Sequence, residues 1–120
     1  MEKTSEFVLL FRQENVLNSN IAPDQIKTVE KKWENWIGGI AAQGKLASQG
    51  NRLVNQGKVL KPAGVITDGP FVEGREMLGG FIVIKAENLE EAVTLAHGCP
   101  AMEYKGSVEV RPVHAMAMPQ

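Results

Sequence analysis

The residues best suited to chemistry lie close together in residues 67–76. Asp68 brings a carboxylate next to Gly69-Pro70, and these residue types favour a turn, because Gly accepts a positive φ and Pro fixes its own φ. The charged residues that follow are Glu73, Arg75 and Glu76. An ordinary turn does not need this density of charge. Because the segment separates two apolar runs, it lies where a loop lining a cleft would lie.

Asp68 is the first catalytic candidate, either as a general acid or base or as a hydrogen-bond acceptor for a ligand. The alternative is that Asp68 caps its own turn by accepting the N–H of Gly69 or Phe71. Glu73 is a second catalytic candidate, and Arg75 could clamp an anionic substrate. The alternative for these charges is a solvated loop, in which surface ion pairs contribute little to stability.

Other reactive side chains are scattered along the chain. His97 is a catalytic candidate because imidazole titrates near neutrality, although a predicted helix C-terminus there would also favour its charged form. Arg12 ends the first predicted strand and could bind an acid or simply face water. Cys99 could be a nucleophile or a small buried residue. The chain shows neither a clustered metal-ligand spacing nor a cofactor motif, so the sequence predicts no metal and no cofactor.

Apolar periodicity and cap residues predict the elements that must position these groups. A helix of about five turns begins at Pro23, and its Trp33 and Trp36 are predicted to pack against a sheet. A second helix is capped by Asn88, with Glu91 as its capping-box partner. The predicted strands and extended segments are residues 7–11, 46–60, 65–66, 81–84 and 107–113.

This order, β-α-β-β-α-β, predicts an α+β protein of ferredoxin-like topology, with one antiparallel sheet and two helices on one face. Val8 and Leu10 alternate with other apolar residues, so both faces of the first strand are apolar. Two helices cover one face only, and an apolar face left in water would exceed what monomers expose. We therefore expect a homodimer, closed by a second copy at the open sheet face.

The composition limits the class of protein. A chain of 120 residues is expected to form a single domain over residues 1–120. Its formal net charge of −1 gives no basis for binding nucleic acid, and no apolar run approaches the ~18–20 residues that cross a membrane. A single Cys and the absence of a signal-like N-terminus predict a cytoplasmic protein.

The chain also resembles the YCII-related family, in its DGPF-type branch, over nearly its whole length. The resemblance rests on an ordered series of segments: residues 7–12, Trp33, Trp36, residues 42–46, residues 67–71 with Glu73, residues 79–81, residues 90–92, residues 98–100 and residues 106–112. It implies a dimeric α+β barrel. Relatives in the wider superfamily include isomerases, monooxygenases that bind heme or substrate, and a dehydrochlorinase, and a His–Asp dyad has been proposed for some. Neither His97 nor His114 falls on a matching position.

The resemblance and the residues together lead to two functional hypotheses. The first is a small-molecule-binding protein or a cofactor-free enzyme of lyase or isomerase type, with its cleft near the Asp-Gly-Pro-Phe loop. The alternative is a non-catalytic regulatory or interaction module associated with a sigma factor, because DGPF-type proteins often accompany such factors. A small organic ligand is therefore an expected partner, besides a second copy of the chain.

Overall fold

The structure is a computed structural model that describes residues 4–14, 23–54, 56–70, 72–73, 76–104 and 106–114. In these residues one strand precedes the first helix, five strands separate the two helices and one strand follows the second, with single 3₁₀ turns at Pro62–Gly64 and Pro100–Tyr104. In chain order they are β1 (Ser5–Glu14), α1 (Pro23–Ala42), β2 (Leu46–Arg52), β3 (Gly57–Lys61), β4 (Val65–Gly69), β5 (Val72–Glu73), β6 (Glu76–Ala86), α2 (Leu89–Ala96) and β7 (Ser107–Pro112).

The main sheet is antiparallel and has the strand order β2-β6-β1-β7, with the short β5 added beside the beginning of β6. This order and the two helices of the described residues confirm the predicted ferredoxin-like α+β fold. β1 and β6 are longer than their apolar runs, because their hydrogen-bonded pairing continues into polar residues at both ends, from Ser5 opposite Ala86 to Glu14 opposite Glu76.

The core lies between the sheet and the helices. Alternate residues of β1 and β6 are buried there, namely Phe7, Leu9, Phe11, Ile82 and Ile84. Residues that face each other across an antiparallel pair share a face, so Val8 with Val83, and Leu10 with Phe81, lie on the opposite face. These four side chains are only half-buried.

The long helix packs on the core through aromatic rings. Trp33 and Trp36 both meet Phe11 edge to face, with ring centroids 4.8 Å and 5.8 Å away. Such edge-to-face pairs add stability beyond the area they bury. Trp36 also donates its Nε1–H to the carbonyl oxygen of Leu95 at 3.1 Å. The prediction that both tryptophans pack against the sheet is confirmed.

α2 begins as its sequence predicts. The Oδ1 of Asn88 accepts the backbone N–H of Glu91 at 2.8 Å, which satisfies one of the free donors at a helix N-terminus. The carboxylate of Glu91, however, is paired with the Nζ of Lys45 at 3.3 Å. The cap is therefore confirmed, while the Glu91 carboxylate contacts the residue just before β2.

β3 and β4 form a separate two-stranded sheet, the β3–β4 hairpin. Its closing turn is the 3₁₀ turn at Pro62–Gly64, where Gly64 has a φ of 75°. The predicted turn at residues 68–70 differs from this, because Asp68 and Gly69 continue the ladder opposite Lys58 and Gly57. The ladder ends at Pro70, which has no N–H to donate.

Candidate functional site

A cavity of about 490 Å³ lies between α1 and the helix-covered face of the sheet. Its walls are mainly apolar, with Phe11 and Ile82 on the sheet side and the α1 residues Ile26, Val29, Trp33 and Ile37 on the helix side. Cavities of this size and character commonly hold small organic ligands. We refer to this space as the α1 cavity.

Two glycines of β6 lie at the floor of the α1 cavity. Phe11 pairs with Gly80 but Arg12 pairs with Leu78, so Gly79 is an extra, bulged residue in β6. Gly79 and Gly80 both line the cavity. A Cβ on Gly80 would lie 3.0 Å from the carbonyl oxygen of Asn51, closer than ordinary contacts allow. Gly80 therefore allows the backbone of β2 to approach β6 closely at the floor of the cavity.

The neighbouring strand is shaped by a second special glycine. Gly50 in β2 has a φ of 59°, and a Cβ there would overlap the carbonyl oxygen of Phe81. A glycine accepts this backbone conformation without strain. The register of β2 on β6 shifts around this residue, after which Arg52 pairs with Gly80. In this way β2 delivers its last residues, Asn51 and Arg52, to the cavity.

The polar residues that line the cavity come from two sources. The strands β1 and β2 contribute the lining residues Arg12, Gln13, Gln49, Asn51 and Arg52. Of these, Arg12 and Asn51 share the face of Leu10 and Phe81, on the other side of the sheet. Helix α1 supplies two carboxylates, Glu30 and Glu34. The lining cation on the helix-covered side of the sheet is therefore Arg52, and the lining carboxylates come from the helix.

Arg12 is among the lining residues, but its guanidinium lies on the open face of the sheet, where Glu109 pairs with Leu10. Its Nη2 donates to the Oε1 of Glu109 at 2.8 Å. This hydrogen bond, with the nearby charges of Arg12 and Arg111, holds the pKa of Glu109 below its usual range. A carboxyl with a lowered pKa stabilises the fold above its ordinary pKa, and this contribution is lost as the pH falls through the lowered value. The pair is thus intact at neutral pH.

Asp68 lies on the β3–β4 hairpin and does not line the α1 cavity. Its Oδ1 accepts a hydrogen bond from the Nζ of Lys58 at 2.7 Å, and its side chain is 92% exposed. Its partner is therefore a lysine on the paired strand, and Phe71, a predicted capping partner, lies outside the described residues. A catalytic role for Asp68 stays a prediction.

The other residues predicted from this segment are described in part. Glu73 belongs to β5, which pairs with β6, and its backbone alone is described. Arg75 lies outside the described residues. Of the predicted catalytic and substrate-binding residues that have described side chains, Arg12 lies at the cavity, while Asp68 and His97 do not.

His97 and Cys99 both lie just after α2. His97 is the C-terminal cap residue of the helix and is exposed, with its backbone N–H directed to the carbonyl oxygens of Val93 and Thr94. Cys99 is 3% exposed, and its Sγ accepts the N–H of Ala101 at 3.4 Å. Burial raises the pKa of the Cys99 thiol to about 11. Because the thiolate is the nucleophile, the interpretation of Cys99 as a small buried residue is the better supported one.

Three charged residues of the cavity were not identified from the sequence as site residues: Glu30, Glu34 and Arg52. The two glutamates occur among the polar residues of an amphipathic helix, where nothing in the sequence distinguishes them from a solvated face. Arg52 lies in the segment whose structure the sequence left undecided. The one available signal was Gly79-Gly80 inside a strand, since glycine there indicates a bulge or close backbone approach.

The fold and this cavity define a ferredoxin-like α+β protein with a space between helix and sheet. The family model of the YCII-related domain matches residues 8–117, and the chain belongs to that family. None of the curated proteins compared with the chain matches it. Among the described residues, no helix has both the length and the apolar character that crossing a membrane requires.

Proposed function

We propose that this YCII-related protein binds a small organic molecule in the α1 cavity. The observation that carries the proposal is the cavity itself, about 490 Å³, mainly apolar, with a few polar groups converging on it. An apolar wall provides affinity through burial of ligand surface, and a few polar groups fix orientation. Trp33 lies at this wall, where its ring could pack against the ligand.

If the bound molecule reacts, the chemistry we propose is proton transfer of the lyase or isomerase type. A positioned carboxylate can accept or return a proton without a cofactor. Within the α1 cavity, Glu30 and Glu34 are the carboxylates able to do this. Asp68 lies on the hairpin, so its proposed acid or base role applies only to a ligand that extends to that surface.

The proposal can be tested by a thermal-shift screen of small organic compounds against wild-type protein and Val29→Phe. Val29 lines the cavity, so the larger ring should occupy ligand space. The control is Val93→Phe, at an exposed position on α2 that does not line the cavity. A ligand at 100 times its Kd raises stability by about 2.7 kcal/mol, which is a shift of several degrees in a protein of this size.

We expect the hits to shift the Tm of wild type and of Val93→Phe equally, and that of Val29→Phe much less. An equal shift in Val29→Phe would place binding elsewhere. A screen without any stabilising compound would contradict a ligand-binding function.

We also propose that the protein is a homodimer. Two apolar surfaces support this: the open sheet face that includes Leu10 and Phe81, and the β3–β4 hairpin, where the paired Leu60 and Ile66 are 72% and 64% exposed. A two-stranded hairpin alone is marginally stable in water. Stable interfaces bury roughly 1,200–2,000 Å² in total, an area for which we expect both surfaces to be needed.

The second candidate function is a non-catalytic interaction module. The exposed pair Leu60–Ile66 favours it, since an apolar pair on a projecting hairpin suits a protein partner. In this case a regulatory partner, such as the sigma factor that the family resemblance suggests, would cover the hairpin. Binding measurements distinguish the two candidates. A protein that binds no small molecule but binds a protein partner through the hairpin would be an interaction module.

A further inference from the structure

Positive and negative charges lie on opposite sides of the α1 cavity, the positive charge on the sheet and the negative charges on the helix. Arg52 pairs with Gly80, which pairs with Phe11, and residues facing each other across a ladder share a face. Phe11 packs under α1, so Arg52 lies on the helix-covered side of β2. It therefore supplies a guanidinium to the sheet wall of the cavity.

The carboxylates lie on the flank of α1 that faces the same strand. Lys32 contacts Glu103 at 3.2 Å, in the 3₁₀ turn that precedes β7. Two residues along a helix are about 200° apart, so Glu30 and Glu34 project from roughly the opposite flank. Because β7 and β2 are the two outer strands of the main sheet path, that flank faces β2 and Arg52.

These opposite charges do not neutralise one another directly. Among the described residues, the recorded ion pairs include none of Arg52, Glu30 and Glu34. Glu30 and Glu34 are also like charges four residues apart, which repel each other slightly on a helix. Lys27 and Lys31 lie three residues before Glu30 and Glu34 on the helix and lessen that repulsion, although the ion pairs within 4 Å among the described residues include neither lysine. A ligand cation between the two carboxylates would relieve the repulsion further. Arg12, the other cation among the lining residues, is held by Glu109 at 2.8 Å on the opposite face of the sheet.

We propose that the α1 cavity selects a zwitterion with an apolar body, that is, a molecule of the amino-acid class. Its carboxylate would meet Arg52, its ammonium would meet Glu30 and Glu34, and its apolar part would lie against Trp33. This assignment rests on the proposed ligand-binding function of the cavity. A ligand with an anionic group alone would gain Arg52 but face two unpaired carboxylates, and a ligand with a cationic group alone would leave Arg52 without a partner.

Four matched probes test the charge requirement by titration calorimetry on wild-type protein. L-Phenylalanine carries both charges, 3-phenylpropanoate lacks the ammonium group, 2-phenylethylamine lacks the carboxylate, and 2-phenylethanol is uncharged. We expect L-phenylalanine to bind most tightly, followed by 2-phenylethylamine. Exposed charge pairs contribute up to about 1 kcal/mol each. The Kd of 2-phenylethylamine should therefore be about 5-fold higher than that of L-phenylalanine.

Two variants test which protein residues bind each charged group of the ligand. Arg52→Gln should lower the affinity for L-phenylalanine about 5-fold and leave the affinity for 2-phenylethylamine unchanged. The double variant Glu30→Gln with Glu34→Gln should bind L-phenylalanine and 2-phenylethylamine more weakly, and 3-phenylpropanoate more tightly, than wild type does. Lys85→Gln and Glu90→Gln, exposed positions that do not line the cavity, should change none of these affinities.

The outcomes separate the ligand class from the site. If 2-phenylethanol binds as tightly as L-phenylalanine, and Val29→Phe abolishes the binding of both compounds, the α1 cavity is a binding site but does not select a zwitterion. If Arg52→Gln weakens all four probes equally, the charge assignment also fails. If none of the four binds at millimolar concentration while the thermal-shift screen finds another ligand that Val29→Phe excludes, the amino-acid assignment fails and the site stands. If the screen finds no ligand either, both proposals are contradicted.

Discussion

At the scale of single residues, exposure to water decides what each reactive side chain can do. Asp68 and Lys58 form a close ion pair, yet the Asp68 side chain is 92% exposed. Charges in that setting are screened and lose side-chain entropy on pairing. Cys99 is the opposite case, a thiol enclosed by the core. Arg12 lies between these extremes, partly exposed and held by Glu109 on the open face of the sheet.

We expect Asp68→Asn to change the free energy of unfolding by no more than about 1 kcal/mol, the usual range for an exposed ion pair. Affinity for a ligand in the α1 cavity should stay the same, because Asp68 does not line it. Urea denaturation and calorimetry would measure the two effects. A tenfold loss of ligand affinity in a stably folded Asp68→Asn variant would instead make Asp68 part of the site.

Cys99 should resist alkylation while the protein is folded. With a pKa of about 11, roughly one thiol in a thousand is ionised at pH 8, and the thiolate is the reactive form. The rate of iodoacetamide labelling, followed by mass spectrometry, should rise at least a hundredfold when urea unfolds the chain. Equal rates in the folded and unfolded protein would mean that Cys99 is accessible.

At the scale of secondary structure, local residue types predicted some elements well. Pro23 begins α1 and Asn88 caps α2 in the structure as in the sequence. Both signals are local, because a fixed φ or a capping oxygen acts within one turn of helix. The apolar runs in β1 and β6 likewise predicted central strands, although not their full lengths.

The hairpin and the cavity were harder to predict because they depend on pairing between distant residues. Asp68 and Gly69 have turn chemistry, yet their pairing with Lys58 and Gly57 makes them part of β4. Arg52 reaches the α1 cavity through its register with Gly80. A register shift of one residue would move such a side chain to the other face, and single-sequence patterns do not specify that register.

The cap of α2 gives a test at this scale. Asn88→Ala should lower the free energy of unfolding by about 1 kcal/mol, because the backbone N–H of Glu91 loses its acceptor. Asn35→Ala is the matched control, since Asn35 is an exposed residue within α1, where alanine favours the helix. Urea denaturation should show destabilisation in the first variant alone. Equal stability of both variants would contradict the capping role.

At the scale of the whole molecule, the distribution of apolar surface leads to the proposed dimer. The helix-covered face carries the buried core, whereas Val8 and Val83 on the other face are half-buried. Leu60 and Ile66 add an exposed apolar pair on the hairpin. Burying one such side chain stabilises an interface by about 2 kcal/mol, so two copies of each would contribute substantially.

Replacing Leu60 and Ile66 together by serine should shift the protein from dimer to monomer. Sedimentation velocity at micromolar concentration would measure this. The control is Leu89→Ser, a 47% exposed position on α2, which should leave the dimer intact. A wild-type protein that sediments as a monomer would contradict the homodimer, and a dimer unaffected by the double substitution would exclude the hairpin from its interface.

Binding in the α1 cavity is tested most directly by the fluorescence of one ring. The chain has 2 tryptophans, of which Trp33 lines the cavity and Trp36 does not. Trp36→Phe leaves Trp33 as the reporter, and Trp33→Phe leaves Trp36, with circular dichroism checking that both variants fold. When the compound with the largest thermal shift is titrated, we predict a saturable change in Trp33 emission and none in that of Trp36. Saturable binding that changes the emission of Trp36 and leaves that of Trp33 constant would contradict the proposed site.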